Sequence, residues 1–272
     1  MKGVLRHPIR FALRLGWLGG EFLFAAATWL LLALRDSADV SRRARWLQRH
    51  ARRVLWVLHV RVELRGEIIA RGFLVANHLS YLDILVLAAV TPCVFVAKRD
   101  VRGWPVFGWF ARMAGTIFVD RNRRSDTART VAEMRGVGAE PVTVVLFPEG
   151  TSSDGRTVLP FKSSLLAPLA EGVDCGVAHL SYTLLDGNAE EEVCYWRDMT
   201  LMPHLFNLLS KTEIHAGLHG ARVMALERDR KALAVLLHAR VSELSKLRLT
   251  PKRNPTVTLG QPDCNALLRG SL

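Results

Sequence analysis

From Arg61 onward the chain alternates short runs rich in β-branched and aromatic residues with longer helical runs, and this alternation restricts the fold more than any other feature. Strands are expected at residues 60–64, 73–76, 94–97, 116–119, 142–147, 177–183, 192–195 and 213–216. Helices are expected at 81–90, 106–113, 126–137, 163–171, 200–209 and 228–247. Strands separated by helices pair in parallel and need both faces covered. The expected fold class is therefore α/β, a mixed, largely parallel sheet flanked by helices. A chain of 272 residues has room for one such domain, placed at 60–250, with a sizeable core. Residues 251–272, rich in Pro, Asn and Gly, read as an irregular tail.

Residues 1–59 follow a different pattern. An apolar run at 22–34 is preceded by Arg6, Arg10 and Arg14 and followed by Arg35. It falls short of the roughly 20 residues that a spanning helix needs. Extending it back to Leu15 takes in Gly16, Gly19, Gly20 and Glu21, so a shallow monotopic anchor is preferred over a spanning or re-entrant helix. Ala33-Leu34-Arg35-Asp36 lacks the small-residue site of a cleaved signal peptide. A second helix at 41–59 mixes Arg42, Arg43, Arg45, Arg49, Arg52 and Arg53 with Trp46 and Trp56. Arginine beside tryptophan suits a membrane lipid surface. The same charges would suit a nucleic acid, or simply a solvated helix face. No helix-turn-helix, zinc-finger or RNP pattern accompanies them, and the apolar run lies directly upstream. With a formal charge of +12 and 50% hydrophobic residues, membrane is preferred and nucleic acid is not. The N-terminal part is thus expected to be a membrane-associated helical pair.

Chemistry is expected first at Asn77-His78-Leu79-Ser80-Tyr81-Leu82-Asp83, where a strand gives way to a helix. Histidine takes and returns a proton near neutral pH, and a carboxylate on its other nitrogen fixes its tautomer. Asp83 is placed to be that carboxylate if His78 precedes the helix. A plainer reading makes Ser80-Tyr81-Leu82-Asp83 a capping box. Downstream, Gly150, Gly155, Arg156 and Thr157 imitate a phosphate-binding P-loop. Arginine replaces the lysine, however, and Pro160 falls where the helix should start, so a nucleotide site is rejected. Arg121, after the strand at 116–119, offers a planar fork suited to a phosphate monoester, or else an ion pair with Asp120. Cys93, Cys175, Cys194 and Cys264 show no C-x-x-C spacing, and His215 and His219 lack an H-E-x-x-H glutamate, so no metal is expected.

Asn77-His78 with Asp83, the strand ending in Asp120-Arg121, and Phe147-Pro148-Glu149-Gly150-Thr151 together resemble three motifs of the glycerolipid acyltransferases, in family order. The best-known members of that family are the 1-acylglycerol-3-phosphate O-acyltransferases. The resemblance runs from about Arg61 to about Ala216. It implies that His78, oriented by Asp83, is the general base for a lysophospholipid hydroxyl. It further implies that Arg121 grips the acceptor phosphate, and that Glu149, Gly150 and Thr151 help hold the acceptor, with Lys98 as a helper. The acyl donor would be acyl-CoA or acyl carrier protein, a co-substrate and not a cofactor. The site would lie on the cytoplasmic side of a membrane, the inner one in a bacterium. Ser152 stands where many members have arginine, and the fourth motif, at 173–182, lacks its usual proline. The favoured acceptor is 1-acylglycerol-3-phosphate, giving phosphatidic acid, with lyso-ornithine lipid as the alternative. A non-catalytic basic protein coating membrane or nucleic acid would not need this constellation.

Overall fold

The computed structural model describes residues 7–35, 39–120, 124–173, 175–223, 227–247 and 257–258. Its centre is one sheet of β1 (Val60–Gly66), β2 (Gly72–Ala76), β3 (Cys93–Lys98), β4 (Ile117–Val119), β5 (Thr143–Leu146), β6 (Cys175–Leu184), β7 (Ile214–Val223) and the two-residue β8 (Val257–Thr258). The order is β4-β3-β5-β2-β6-β7-β1-β8. All neighbours pair in parallel except β6 with β7 and β1 with β8. The sheet is therefore mixed and largely parallel, as expected. Of the tail at 251–272, only β8 lies within the described residues.

The helices are α1 (Pro8–Leu34), α2 (Val40–Val57), α3 (Leu82–Val90), α4 (Phe107–Met113), α5 (Arg124–Ala139), the single turn α6 (Ala189–Glu192), α7 (Leu201–Ser210) and α8 (Arg230–Ser245). Strand alternation sends successive side chains of β2 to opposite faces. Leu74 and Ala76 join the core beneath α1, α2, α3 and α7, while Phe73 and Val75 join the core beneath α5 and α8. Every residue of β2 is buried, as befits a strand with helices on both faces.

Two expected elements are corrected. Residues 192–195 are not a strand. Asn188 accepts a hydrogen bond from the Glu190 amide at 2.9 Å and starts the helical turn α6. Both edges of β6 are already taken by β2 and β7, so no ladder is open there. Residues 163–171 are not one helix but two 3₁₀ turns, Ser163–Leu165 and Leu169–Glu171. Pro168 between them has no N–H to continue a helix.

The apolar run at 22–34 is the second half of a longer helix that begins at Pro8 and passes through the glycines without a break. Helix α1 lies along the domain. Near its start the Arg14 guanidinium donates to the carbonyls of Leu209 and Lys211, and near its end Trp29 Nε1 donates to the Met113 carbonyl at 3.1 Å. Glu21, the acid inside the apolar stretch, is buried. It accepts from His50 Nδ1 at 2.6 Å and from Arg53 of α2 at 2.5 Å. The opposite side of α1 exposes Ile9, Leu13, Leu23, Leu30 and Leu34.

Candidate active site

Strand β2 stops at Ala76, and the Asn77 side chain prolongs its ladder onto β6. Asn77 Nδ2 donates to the Leu180 carbonyl at 3.0 Å, and the Leu180 amide donates to Asn77 Oδ1 at 2.7 Å. His78 therefore leaves the sheet from a fixed point. Helix α3 starts at Leu82, which puts Asp83 in its first turn with no solvent exposure. Asp83 Oδ2 accepts from His78 Nδ1 at 2.8 Å, from the Leu79 amide at 2.6 Å and from the Ser80 amide at 3.0 Å. Its Oδ1 accepts from the Tyr182 hydroxyl at 2.6 Å. Both sequence readings of Asp83 are thus realised at once, since it partners His78 and also caps backbone amides. The reciprocal half of a capping box is missing, because Ser80 Oγ is buried without a partner.

With Nδ1 donating to Asp83, the lone pair of His78 sits on Nε2. The imidazole stacks on Phe147, with centroids 4.2 Å apart and planes 18° from parallel. Its backbone is held by the segment after β5. The His78 amide reaches Glu149 Oε1 across a long 3.4 Å, and the His78 carbonyl accepts from the Ser153 amide at 3.0 Å. Gly150 makes this turn possible, because its φ of +74° lies in the left-handed region that side chains disfavour. Glu149 is buried, and burial pushes its carboxyl up to about 8. The His78 amide opposes that shift, and the charge of Asp83 adds to it.

A cavity of about 420 Å³ opens beside His78. Leu18 and Phe22 of α1, Val54 of α2, Ile84 of α3 and Phe107 and Phe110 of α4 are among its apolar walls. Gly150, Thr151 and Lys98 also line it, so these three expected residues share one cavity with His78. Glu149 does not line it and lies under the histidine turn instead. Arg121 lies outside the described residues. Ser152 donates its hydroxyl to the Tyr195 carbonyl. The Gly150 to Pro160 stretch forms no helix at its P-loop-like positions, and Arg156 pairs with Glu190 at 2.9 Å. His215 pairs with Glu213 at 2.7 Å.

Two supporting residues do not stand out in the sequence, and Asn77, named there within the motif, is given its role only by its contacts with β6. Tyr182 is described above. The other is His204 of α7, whose Nδ1 lies 2.9 Å from the Tyr81 hydroxyl while Nε2 lies 3.2 Å from the Cys194 carbonyl. Burial lowers His204 to about 4, so neutral Nε2–H donates to the carbonyl and Tyr81 donates to Nδ1. A histidine on the apolar face of α7 and a tyrosine at an inward position of β6 were the available signals. Their partners, distant in sequence, were not.

The family model described as Acyltransferase matches residues 59–178. The chain is 36% identical over 236 residues to the lyso-ornithine lipid O-acyltransferase of Rhizobium meliloti, covering 80% of each protein. It is 40% identical over 117 residues to a 1-acyl-sn-glycerol-3-phosphate acyltransferase of Neisseria gonorrhoeae, covering 42% of this chain and 44% of that one. The crystal structure of the 1-acyl-sn-glycerophosphate acyltransferase of Thermotoga maritima has the same fold, with a TM-score of 0.60 and 20% identity over 91% of this chain and 99% of that one. Similarity of this extent makes the chain an acyltransferase. It belongs to the lysophospholipid acyltransferase family, which joins the lyso-ornithine lipid and 1-acylglycerol-3-phosphate enzymes.

Proposed function

We propose that the protein moves a fatty acyl group from an acyl thioester to the free hydroxyl of a lysolipid at a membrane surface. The observation that carries this reading is the His78–Asp83 pair, 2.8 Å apart beside an apolar cavity. His78 Nε2 accepts the hydroxyl proton as the acceptor oxygen attacks the thioester carbonyl, and Asp83 stabilises the resulting imidazolium. The tetrahedral intermediate then expels the thiolate, which takes the proton back from His78. No acyl-enzyme and no cofactor enter this scheme. Acyl-CoA or acyl carrier protein is the donor. Among the described residues lining the cavity, Lys98 is the one lysine or arginine, and it supplies positive charge for the oxyanion.

For the acceptor, the comparisons support lyso-ornithine lipid ahead of 1-acylglycerol-3-phosphate. The likeness to the former enzyme extends over 80% of the chain, against 42% for the latter. Ser152, bound to the Tyr195 carbonyl, brings no cation to the place where a phosphate monoester would want one. The membrane reading rests on α1. The helix is long and apolar enough to cross a bilayer, but its attachments at Arg14 and Trp29 keep it alongside the domain. Its exposed apolar row therefore suits an interfacial position, and the cytoplasmic side is proposed for the active site because the acyl-thioester donors are cytoplasmic. Purified protein given acyl-CoA or acyl carrier protein and a panel of lysolipids tests the reading. Higher kcat/KM with lyso-ornithine lipid is expected, preference for lysophosphatidic acid would restore the other acceptor, and no transfer to any lysolipid would sink the proposal.

A further inference from the structure

Strand β6 meets the Asn77-to-Asp83 motif at two points two residues apart. The Leu180 backbone binds the Asn77 side chain in both directions, and the Tyr182 hydroxyl binds Asp83 Oδ1 at 2.6 Å. Three donors crowd onto Oδ2, namely His78 Nδ1, the Leu79 amide and the Ser80 amide, whereas Tyr182 is the partner given to Oδ1. Asp83 has no solvent exposure, so water cannot replace the phenol. We propose that Tyr182 is a positioning residue for acyl transfer: its hydroxyl locks the Asp83 carboxyl so that Oδ2 faces His78, and it sets how much negative charge Asp83 presents to the imidazole.

The chemistry of the surroundings agrees. Burial, and then the neighbouring Asp83, push the Tyr182 phenol well above its ordinary range, so it stays a donor. The other ionisable groups around Asp83 are held toward their neutral forms by burial. Glu149 is pushed up to about 8, Cys194 is pushed up to about 12 and His179 is brought down to about 4. The Asp83 carboxylate is thus the charge that His78 meets, and Tyr182 draws part of that charge to the far oxygen. Without the phenol, Asp83 can rotate, and the charge left on it favours imidazolium over the free base.

The role rests on acyl transfer with His78 as base, and the test separates the two. Tyr182→Phe should lower kcat about tenfold or more, leave both KM values within about twofold, and move the low-pH limb of kcat/KM to higher pH. In an Asp83→Asn background the same change should cost less than about twofold, because the oxygen it orients no longer acts. A merely structural tyrosine would lower the amount of folded enzyme without moving the limb. Should Tyr182→Phe fold poorly, 3-fluorotyrosine placed at 182 keeps the shape, strengthens the donor and should move the limb to lower pH. An unmoved limb in the variant that folds, or an equal loss in both backgrounds, overturns the role of Tyr182 and leaves the function standing. An active His78→Ala enzyme would overturn the function itself.

Discussion

Glu149 Oε1 lies 3.4 Å from the backbone nitrogen of His78, while Oε2 of the same side chain is buried with no hydrogen-bond partner. A carboxylate so placed would be a buried charge that the His78 and Leu159 amides offset only in part. With its carboxyl pushed up to about 8, Glu149 is instead a neutral acid near pH 7, holding the histidine turn from below.

Replacing it by its neutral isostere should therefore be mild. Glu149→Gln should retain activity within about fivefold at pH 7, while Glu149→Ala should lose about tenfold or more, since the His78 amide then loses its partner. Steady-state rates at pH 7 check this. A Gln variant as poor as the Ala variant would show that the negative charge is needed.

The same carboxyl predicts a pH dependence of stability. Its folded value, about 8, is raised above the ordinary 4.5, so between these two the unfolded chain releases the proton and the native protein keeps it. Stability should fall as pH rises through this window and level off above about 8. Glu149→Gln should flatten that slope. Denaturant unfolding at pH 5, 7 and 9 in one detergent measures it, and parallel slopes for wild type and Gln variant would contradict the assignment.

Asp83→Asn should injure fold and activity together. Its amide would turn a donor toward either the Tyr182 hydroxyl or the crowded set on Oδ2, costing about 1–3 kcal/mol. Activity should fall by 10² or more through the lost imidazolium partner. Thermal unfolding and specific activity read the two separately, and full activity per folded molecule would reduce Asp83 to a cap.

The exposed row of α1 should govern membrane binding. Leu23→Glu with Leu30→Glu removes apolar surface from that row, each leucine being worth about 1.5–3 kcal/mol if fully buried. Vesicle affinity should drop at least about tenfold at high salt, with little change in Tm. Unchanged vesicle binding would place the contact elsewhere. Deleting the first 35 residues is a poorer test, because Leu18 and Phe22 also wall the cavity.

The sheet was largely legible because β2 and β5 are fully buried and read as short runs that are apolar but for Thr143. The His78 to Asp83 contact was legible because His78 lies just ahead of the helix whose first turn holds Asp83. Pairing of β6 with β7 in antiparallel was not, since either direction buries the same side chains. Nor was the turn at Ala189–Glu192, because four residues are too few to separate a period of two from one of 3.6. An acceptor contact for Glu149 came from the resemblance of Phe147 to Thr151 to a family motif, which says nothing of burial. Its burial follows from the tight turn at Gly150, a tertiary fact.

Whether His78 is the base for acyl transfer can be measured within a single turnover. Radiolabelled acyl thioester is mixed with excess lyso-ornithine lipid and enzyme, and the rate of O-acylated product is followed for wild type and His78→Ala. His78→Ala should lose about 10²–10⁴ in the chemical step, with donor binding and Tm unchanged. Product forming at the wild-type rate in His78→Ala would contradict that role.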